Sequence, residues 1–140
     1  MIEYRASHPC GFGSVRQARH ALFAFAERCG FRDTPLLDVE SAAGEALANA
    51  AEHGDGEGRS GFDVSASFDG EQLVIDIKDH GTGFDCAEAL ASPPPDGSGD
   101  RGFGIFLMRR LMDDVIYSEA GSRIQLVKRL AAPTPAISFR

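Results

Sequence analysis

The sequence predicts an α+β fold, a two-layer α/β sandwich with helices packed on one face of a mixed, largely antiparallel sheet. Three observations point there. Two long N-terminal stretches repeat apolar residues at helical spacing, two later stretches alternate apolar and polar residues around a tight turn, and a glycine-rich segment opens a further helix ahead of a last strand pair. At 140 residues the chain reads as one domain, 1–140, long enough to bury most of the surface its unfolded form exposes.

Met1 to Ala6 alternates and suits a short edge strand, followed by a loop with Pro9, Gly11 and Gly13. Ser14 and Gln17 have capping-box spacing, and Val15, Ala18, Leu22, Phe25 and Cys29 recur at helical intervals until Gly30, which predicts a helix over about 15–30. Thr34 before Pro35 reads as N-cap and first helical position of a second, longer helix; Leu36, Val39, Ala43, Leu47 and Ala50 line one face of it until Gly54. A polar loop leads to Gly61. Phe62, Val64, Ala66 and Phe68 then alternate with Asp63, Ser65 and Ser67, Asp69-Gly70 offers a two-residue turn, and Leu73, Ile75 and Ile77 return in a strand ending at Lys78.

A brief helical piece fits Cys86 to Ala91, and the segment from Ser92 to Asp100 holds too much Pro and Gly for regular structure, so residues 86–101 read as a flexible lid. Helical spacing resumes from about Phe103 to Met112, with Phe103, Phe106, Leu107, Arg110 and Leu111 on one face. Val115 to Tyr117 and Ile124 to Lys128 make a final hairpin around Ala120, Gly121 and Ser122, and an irregular tail occupies 131–140.

A net charge of −7 argues against general affinity for nucleic acid or anionic lipid, while leaving room for a basic partner surface. No apolar run approaches a membrane span and no signal segment opens the chain, so the expected location is the cytoplasm. Cys10, Cys29 and Cys86 are widely spaced and lack the neighbours of a zinc set; they read as free thiols.

Glu45 and Asn49 stand four apart and share one helix face, with Glu52 or His53 a further turn along. An amide oxygen suits Mg²⁺ when phosphates and water complete its shell, and a carboxylate one turn away can orient or deprotonate an attacking hydroxyl. Taken alone, the stripe also describes a solvated helix face. Asp79, Gly81 and Gly83 follow a strand with no helical run behind them, which fits neither a Walker loop nor a dinucleotide fingerprint. Glycines there allow close approach to a flat ring, and an acid at a strand end can accept a hydrogen bond from an exocyclic amine; a plain turn has the same composition. Arg101, Gly102, Phe103 and Gly104 lead into a helix whose free N–H groups can face phosphate, or simply begin that helix.

The order of these elements resembles the Bergerat-fold ATPases, the superfamily of gyrase, Hsp90, histidine kinases and MutL, over about Leu36 to Lys128. Within it, Glu45 to Gly54 and the run from Gly102 to Val115 resemble the bacterial anti-sigma factor serine kinases. The resemblance implies ATP and Mg²⁺ as ligands, with Asn49 holding the metal, Glu45 as general base and Asp79 on the adenine amine. It further implies that Gly81 and Gly83 shape the adenine pocket and that Ser122 supports Asp79. Gly102, Phe103 and Gly104 would close on the phosphates, with Arg101 near the γ-phosphate or the partner. The implied partners are a sigma factor and a small antagonist of the sulfate-transporter/anti-sigma-antagonist (STAS) type, and such proteins commonly work as homodimers. The chain departs from the family pattern in its proline-rich lid and in Ser122, where related chains often carry Thr.

Two other functions share these elements. A lone histidine-kinase-type catalytic domain is disfavoured because His20 is followed by Ala rather than an acid and no dimerising four-helix module is visible. A nucleotide-gated binding module that transfers no phosphate differs from the kinase chiefly in having no use for Glu45.

Overall fold

The apolar stripes read from the sequence on the first two helices and on the central strands face the gap between one sheet and the helices that cover it. The structure, a computed structural model, describes residues 1–9, 12–54, 61–79, 100–118 and 122–131; of Phe12, 52–54 and 100–103 it describes the backbone alone. The elements are β1 (Ile2–His8), α1 (Phe12–Cys29), α2 (Asp33–Gly54), β2 (Phe62–Phe68), β3 (Gln72–Asp79), α3 (Asp100–Leu111), β4 (Asp114–Ser118) and β5 (Arg123–Arg129). The strands form a five-stranded sheet in the order β1-β2-β3-β5-β4. All four pairings are antiparallel, so the largely antiparallel sheet expected has no parallel pair among the described strands.

Connectivity explains this. Two helices in succession carry the chain from the end of β1 down and back up, so β2 starts where β1 finished and must run against it. Helix α3 runs from the Asp79 end to the opposite end, where β4 begins.

Phe62, Val64, Ala66 and Phe68 alternate inward on β2, as do Leu73, Ile75 and Ile77 on β3 and Ile124 and Leu126 on β5; all are buried. Against them lie Ala18, Leu22, Phe25 and Ala26 of α1 and the α2 stripe of Leu36, Val39, Ala43, Leu47 and Ala50, also buried. Each large apolar side chain removed from water here stabilises the fold by about 1.5–3 kcal/mol. The opposite sheet face is polar: Asp76 accepts from Arg123 Nε at 3.0 Å and from its cross-strand partner Gln125 at 3.1 Å. Cys29 is buried among the apolar residues, and burial pushes its thiol up, against the smaller opposing pull of Arg28, which leaves it an unreactive thiol.

Helix α1 ends where the sequence says, through a two-bond cap. Gly30 N–H donates to Glu27 O at 3.1 Å and Phe31 N–H to Ala26 O at 3.1 Å, with Gly30 at φ +111°. Phe31 then drops into the core, edge-on to Phe68. Its start differs from the expectation: α1 opens at Phe12, so Ser14 lies inside the helix, buried, and caps nothing. Helix α2 begins beside the expected cap, with Asp33 at φ +54° marking the break before Thr34.

The β2–β3 turn is displaced by one residue from Asp69-Gly70. Phe68 pairs with Leu73 and Asp69 N–H donates to Gln72 O, so the two central residues are Gly70 and Glu71, with Gly70 at φ +101°. Asp69 instead braces the turn from outside, its carboxylate accepting from Glu71 N–H at 2.9 Å and Gln72 N–H at 2.8 Å.

On α3 the sequence-based face is wrong. Ile105, Met108 and Met112 are buried, whereas Phe106 is 38% exposed with Arg110 over its ring and Arg110 faces solvent. The segment is apolar on nearly every side, so periodicity could not select the buried face; contact with α2 did. Cys10, Cys86, the helical piece at 86–91, all but the last two residues of the lid at 86–101, and the tail beyond Ala131 lie outside the described residues.

Two measurements test this account. Gly30→Ala should cost about 1–2 kcal/mol, because an L side chain resists that backbone conformation; an unchanged denaturation midpoint would refute the cap. The two backbone N–H groups, Glu71 first and Gln72 second, hold the Asp69 carboxyl below its ordinary range. A depressed folded-state value stabilises above the unfolded-state value, and that contribution disappears as pH falls through the folded one. The stability gap between wild type and Asp69→Ala should therefore close on acidification across that window in urea titrations, and a gap that persists below it would contradict the turn geometry.

Candidate functional site

Three element ends converge at one end of the sandwich, as ladder register and helix rise require. Lys128 of β5 pairs with Leu73 at the start of β3, and its ammonium lies 3.5 Å from Asp38 in the first part of α2. The same ammonium donates to Leu111 O at the last turn of α3. At the other end of this ladder Asp79 N–H donates to Ser122 O at 2.8 Å. Helix α2 thus starts over the Lys128 end and climbs with β3; Asn49 lies about 16 Å along the helix from Asp38, against about 20 Å along the strand from Leu73 to Asp79. Helix α3 runs the opposite way, so its first turn points to the Asp79 end as well.

Glu45 and Asn49 are half-buried on α2, one turn apart on the same face. The carboxylate of Glu45 lies against α3 at Gly104, where an added Cβ would stand 2.8 Å from Glu45 Oε2. A side chain at this position would make the Glu45 carboxylate shift from its place between the helices. Beneath the stripe, Gly44 meets the aliphatic stem of Arg19 from α1.

Asp79 is the last residue of β3 rather than the first of the following loop, one residue beyond the expected strand end. Strand parity therefore turns its side chain inward after Leu73, Ile75 and Ile77, where it is 4% exposed. Its ladder partners are Phe62, fully buried on β2, and Ser122, half-buried across the ladder toward β5. A carboxylate in such surroundings costs several kcal/mol unless donors meet it, and Asp79 does have an interaction partner.

Helix α3 starts at Asp100, three residues before the expected Phe103, so Arg101, Gly102, Phe103 and Gly104 are helical. Its first N–H groups lack intrahelical acceptors and carry the positive end of the helix dipole. The side chains of Arg101, Phe103 and His53 are not described, and Gly81 and Gly83 lie outside the described residues. The structure thus brings together Glu45, Asn49, Asp79, Ser122 and the first turn of α3. Sequence reasoning missed Lys128, although a lysine at the inward position after Ile124 and Leu126 is the kind of irregularity that marks a buried polar contact.

Among the described residues no helix is long and apolar enough to cross a membrane, and no three His, Cys, Asp or Glu side chains group as a metal site.

The chain matches known proteins over most of its length. Residues 12–128 match the family model of the histidine kinase-like ATPase domain. The chain is 31% identical over 126 residues to the serine-protein kinase RsbW of Oceanobacillus iheyensis, covering 84% of this chain and 80% of the relative. It is 29% identical to the serine-protein kinase RsbW of Bacillus subtilis, covering 80% and 76%, and 30% identical to the anti-sigma F factor of Anoxybacillus flavithermus, covering 81% and 82%. A domain match over residues 12–128, with relatives aligned over about four-fifths of their own length, places the chain in the histidine kinase-like ATPase family as an RsbW-like member.

Proposed function

We propose that this protein is an ATP-dependent protein serine kinase and anti-sigma factor, working in the cytoplasm as one half of a partner switch. Its phosphoacceptor is a small antagonist of the STAS type, and its second partner is a sigma factor. The observation that carries the reading is the half-buried Glu45 carboxylate, held between α2 and α3 on the same helix face as Asn49 and at the end of the sandwich where Asp79 is buried. A module that only binds nucleotide has no need of a carboxylate in that place.

Each residue then has a task set by its surroundings. Asp79, inward-facing beside the apolar ring of Phe62, accepts a hydrogen bond from the exocyclic amine of adenine, and Ser122 supports it from across the ladder. Gly81 and Gly83 shape the adenine pocket. The first turn of α3, with Arg101, Gly102, Phe103 and Gly104, receives phosphate at its N–H groups. Glu45 accepts the proton of the acceptor serine as its oxygen takes the terminal phosphoryl group.

The half-buried Asn49 offers an amide oxygen that fits Mg²⁺, a cation that takes most of its ligands from phosphate and water. When bound there, Mg²⁺ neutralises phosphate charge. A homodimer is the working oligomeric state, in keeping with the family resemblance.

Incubation with Mg-ATP and a STAS-type antagonist tests the reading. Wild type should phosphorylate a serine, and Glu45→Gln should lose about 100-fold or more of that rate while still binding ATP, as expected for a lost general base. Full activity in Glu45→Gln would remove the base assignment, and ATP binding with no transfer by wild type would favour a nucleotide-gated module. For the base pocket, Asp79→Asn should weaken ATP by about ten-fold or more, the scale of a hydrogen bond to a charged group, and narrow the preference for ATP over GTP. Equal loss for both nucleotides, measured by calorimetry, would refute the adenine contact.

A further inference from the structure

We infer that Lys128 is a positioning residue for the phosphate end of the site, acting at a distance through α3; the inference rests on the ATP-site reading above. Lys128 stands at an inward position of β5, its side chain only 16% exposed, and its ammonium joins two elements at once. It donates to Leu111 O, one of the last carbonyls of α3, and pairs with Asp38 of α2 at 3.5 Å. A cation at a helix C-terminus both satisfies a free carbonyl and complements the negative end of the dipole.

The residues on either side of Lys128 grip the same helix end. Asp113 N–H donates to Val127 O at 2.8 Å, and Arg129 N–H donates to the Asp113 carboxylate at 2.6 Å. Three consecutive residues of β5 therefore hold the point where α3 gives way to β4. Of these contacts, the one made by Lys128 alone also reaches α2.

Helix α3 is a rigid rod of 12 residues. With its C-terminal end pinned to α2 and β5, its first turn has one defined direction and Gly104 meets Glu45. Freed from Asp38 and Leu111, the rod can pivot about the Asp113 contacts, and the displacement is largest at the far end, where the phosphate-facing N–H groups lie. Adenine recognition at Asp79 sits on β3 and does not move with the rod. The signature of this role is a loss that grows with the number of phosphates on the nucleotide.

The test measures AMP, ADP and Mg-ATP affinity by calorimetry for wild type, Lys128→Met and Lys128→Arg, together with KM for ATP and kcat. Lys128→Met should weaken ATP by about five-fold, within the range of couplings carried through packed elements, while AMP affinity stays unchanged and KM rises more than kcat falls. Lys128→Arg, which keeps the charge and the donor, should restore most of the ATP affinity. If Lys128→Met does not fold, Lys128→Gln takes its place with the same ordering expected and a smaller loss. Equal loss for all three nucleotides, no loss, or a loss that arginine does not repair overturns the inference. Wild type that binds no nucleotide overturns the ATP-site reading itself, which separates the two failures.

Discussion

Helix α2 is under a constraint that shapes the rest of the molecule: it must be buried against the sheet, against α1 and against α3 while keeping one polar stripe available. Its composition answers this. Ala42, Ala43, Ala46 and Ala50 are fully or nearly fully buried and small enough to let neighbouring elements close in, with Val39 and Leu47 filling the remaining depth. Packing on three sides fixes the rotation of the helix, and rotation decides where Glu45 and Asn49 point. A polar stripe on a loosely held helix would be a solvated face; on this one it becomes a fixed set of groups in a wedge between two elements.

The second determinant is direction. Because α1 and α2 carry the chain down and back up between β1 and β2 while α3 runs toward the start of β4, the end of α2, the end of β3 and the start of α3 share one end of the sandwich. That end collects a buried carboxylate from a strand, a half-buried amide and carboxylate from one helix and the positive dipole end of another. The opposite end collects the structural polar contacts: Lys128 with Asp38 and Leu111, and Asp113 with β5. Between them the inward face is apolar from Leu73 to Ile77, so the chemical end and the anchoring end communicate through rigid elements, with no polar chain between them.

What could be read from the sequence follows from these physical reasons. The α2 stripe and the alternation of β2 and β3 were legible because each has one wet and one dry face, which is what periodicity detects. The face of α3 was not, since Phe103, Ile105, Phe106, Leu107, Met108 and Leu111 leave no polar side for a pattern to mark. Ser14 had the spacing of a cap, but local spacing does not say whether a serine will be drawn into the body of the fold. For the site, the shared face of Glu45 and Asn49 followed from helix geometry alone. Its convergence with Asp79 came only from the order of elements and a family resemblance, because ladder register is a long-range fact. The one-residue extension of β3 matters most here: it turns Asp79 from a loop residue into an inward-facing member of a strand.

That extension also bears on why the pocket would choose its ligand. A carboxylate 4% exposed beside Phe62 has given up most of its hydration, so the donors that meet it are worth more than they would be in water. A ligand that offers an N–H donor satisfies the acid, whereas one that presents an acceptor at that point leaves a buried charge facing a lone pair. The discrimination is thus built from the cost of the wrong ligand as much as from attraction to the right one. It requires Asp79 to be held rigidly, which its place in the ladder, with Asp79 N–H on Ser122 O, secures from the backbone. In the reading proposed above, phosphate recognition relies instead on the orientation of a helix anchored at its far end. On that reading, base selection by a fixed strand and phosphate capture by a pinned rod are separable physical tasks carried by different elements.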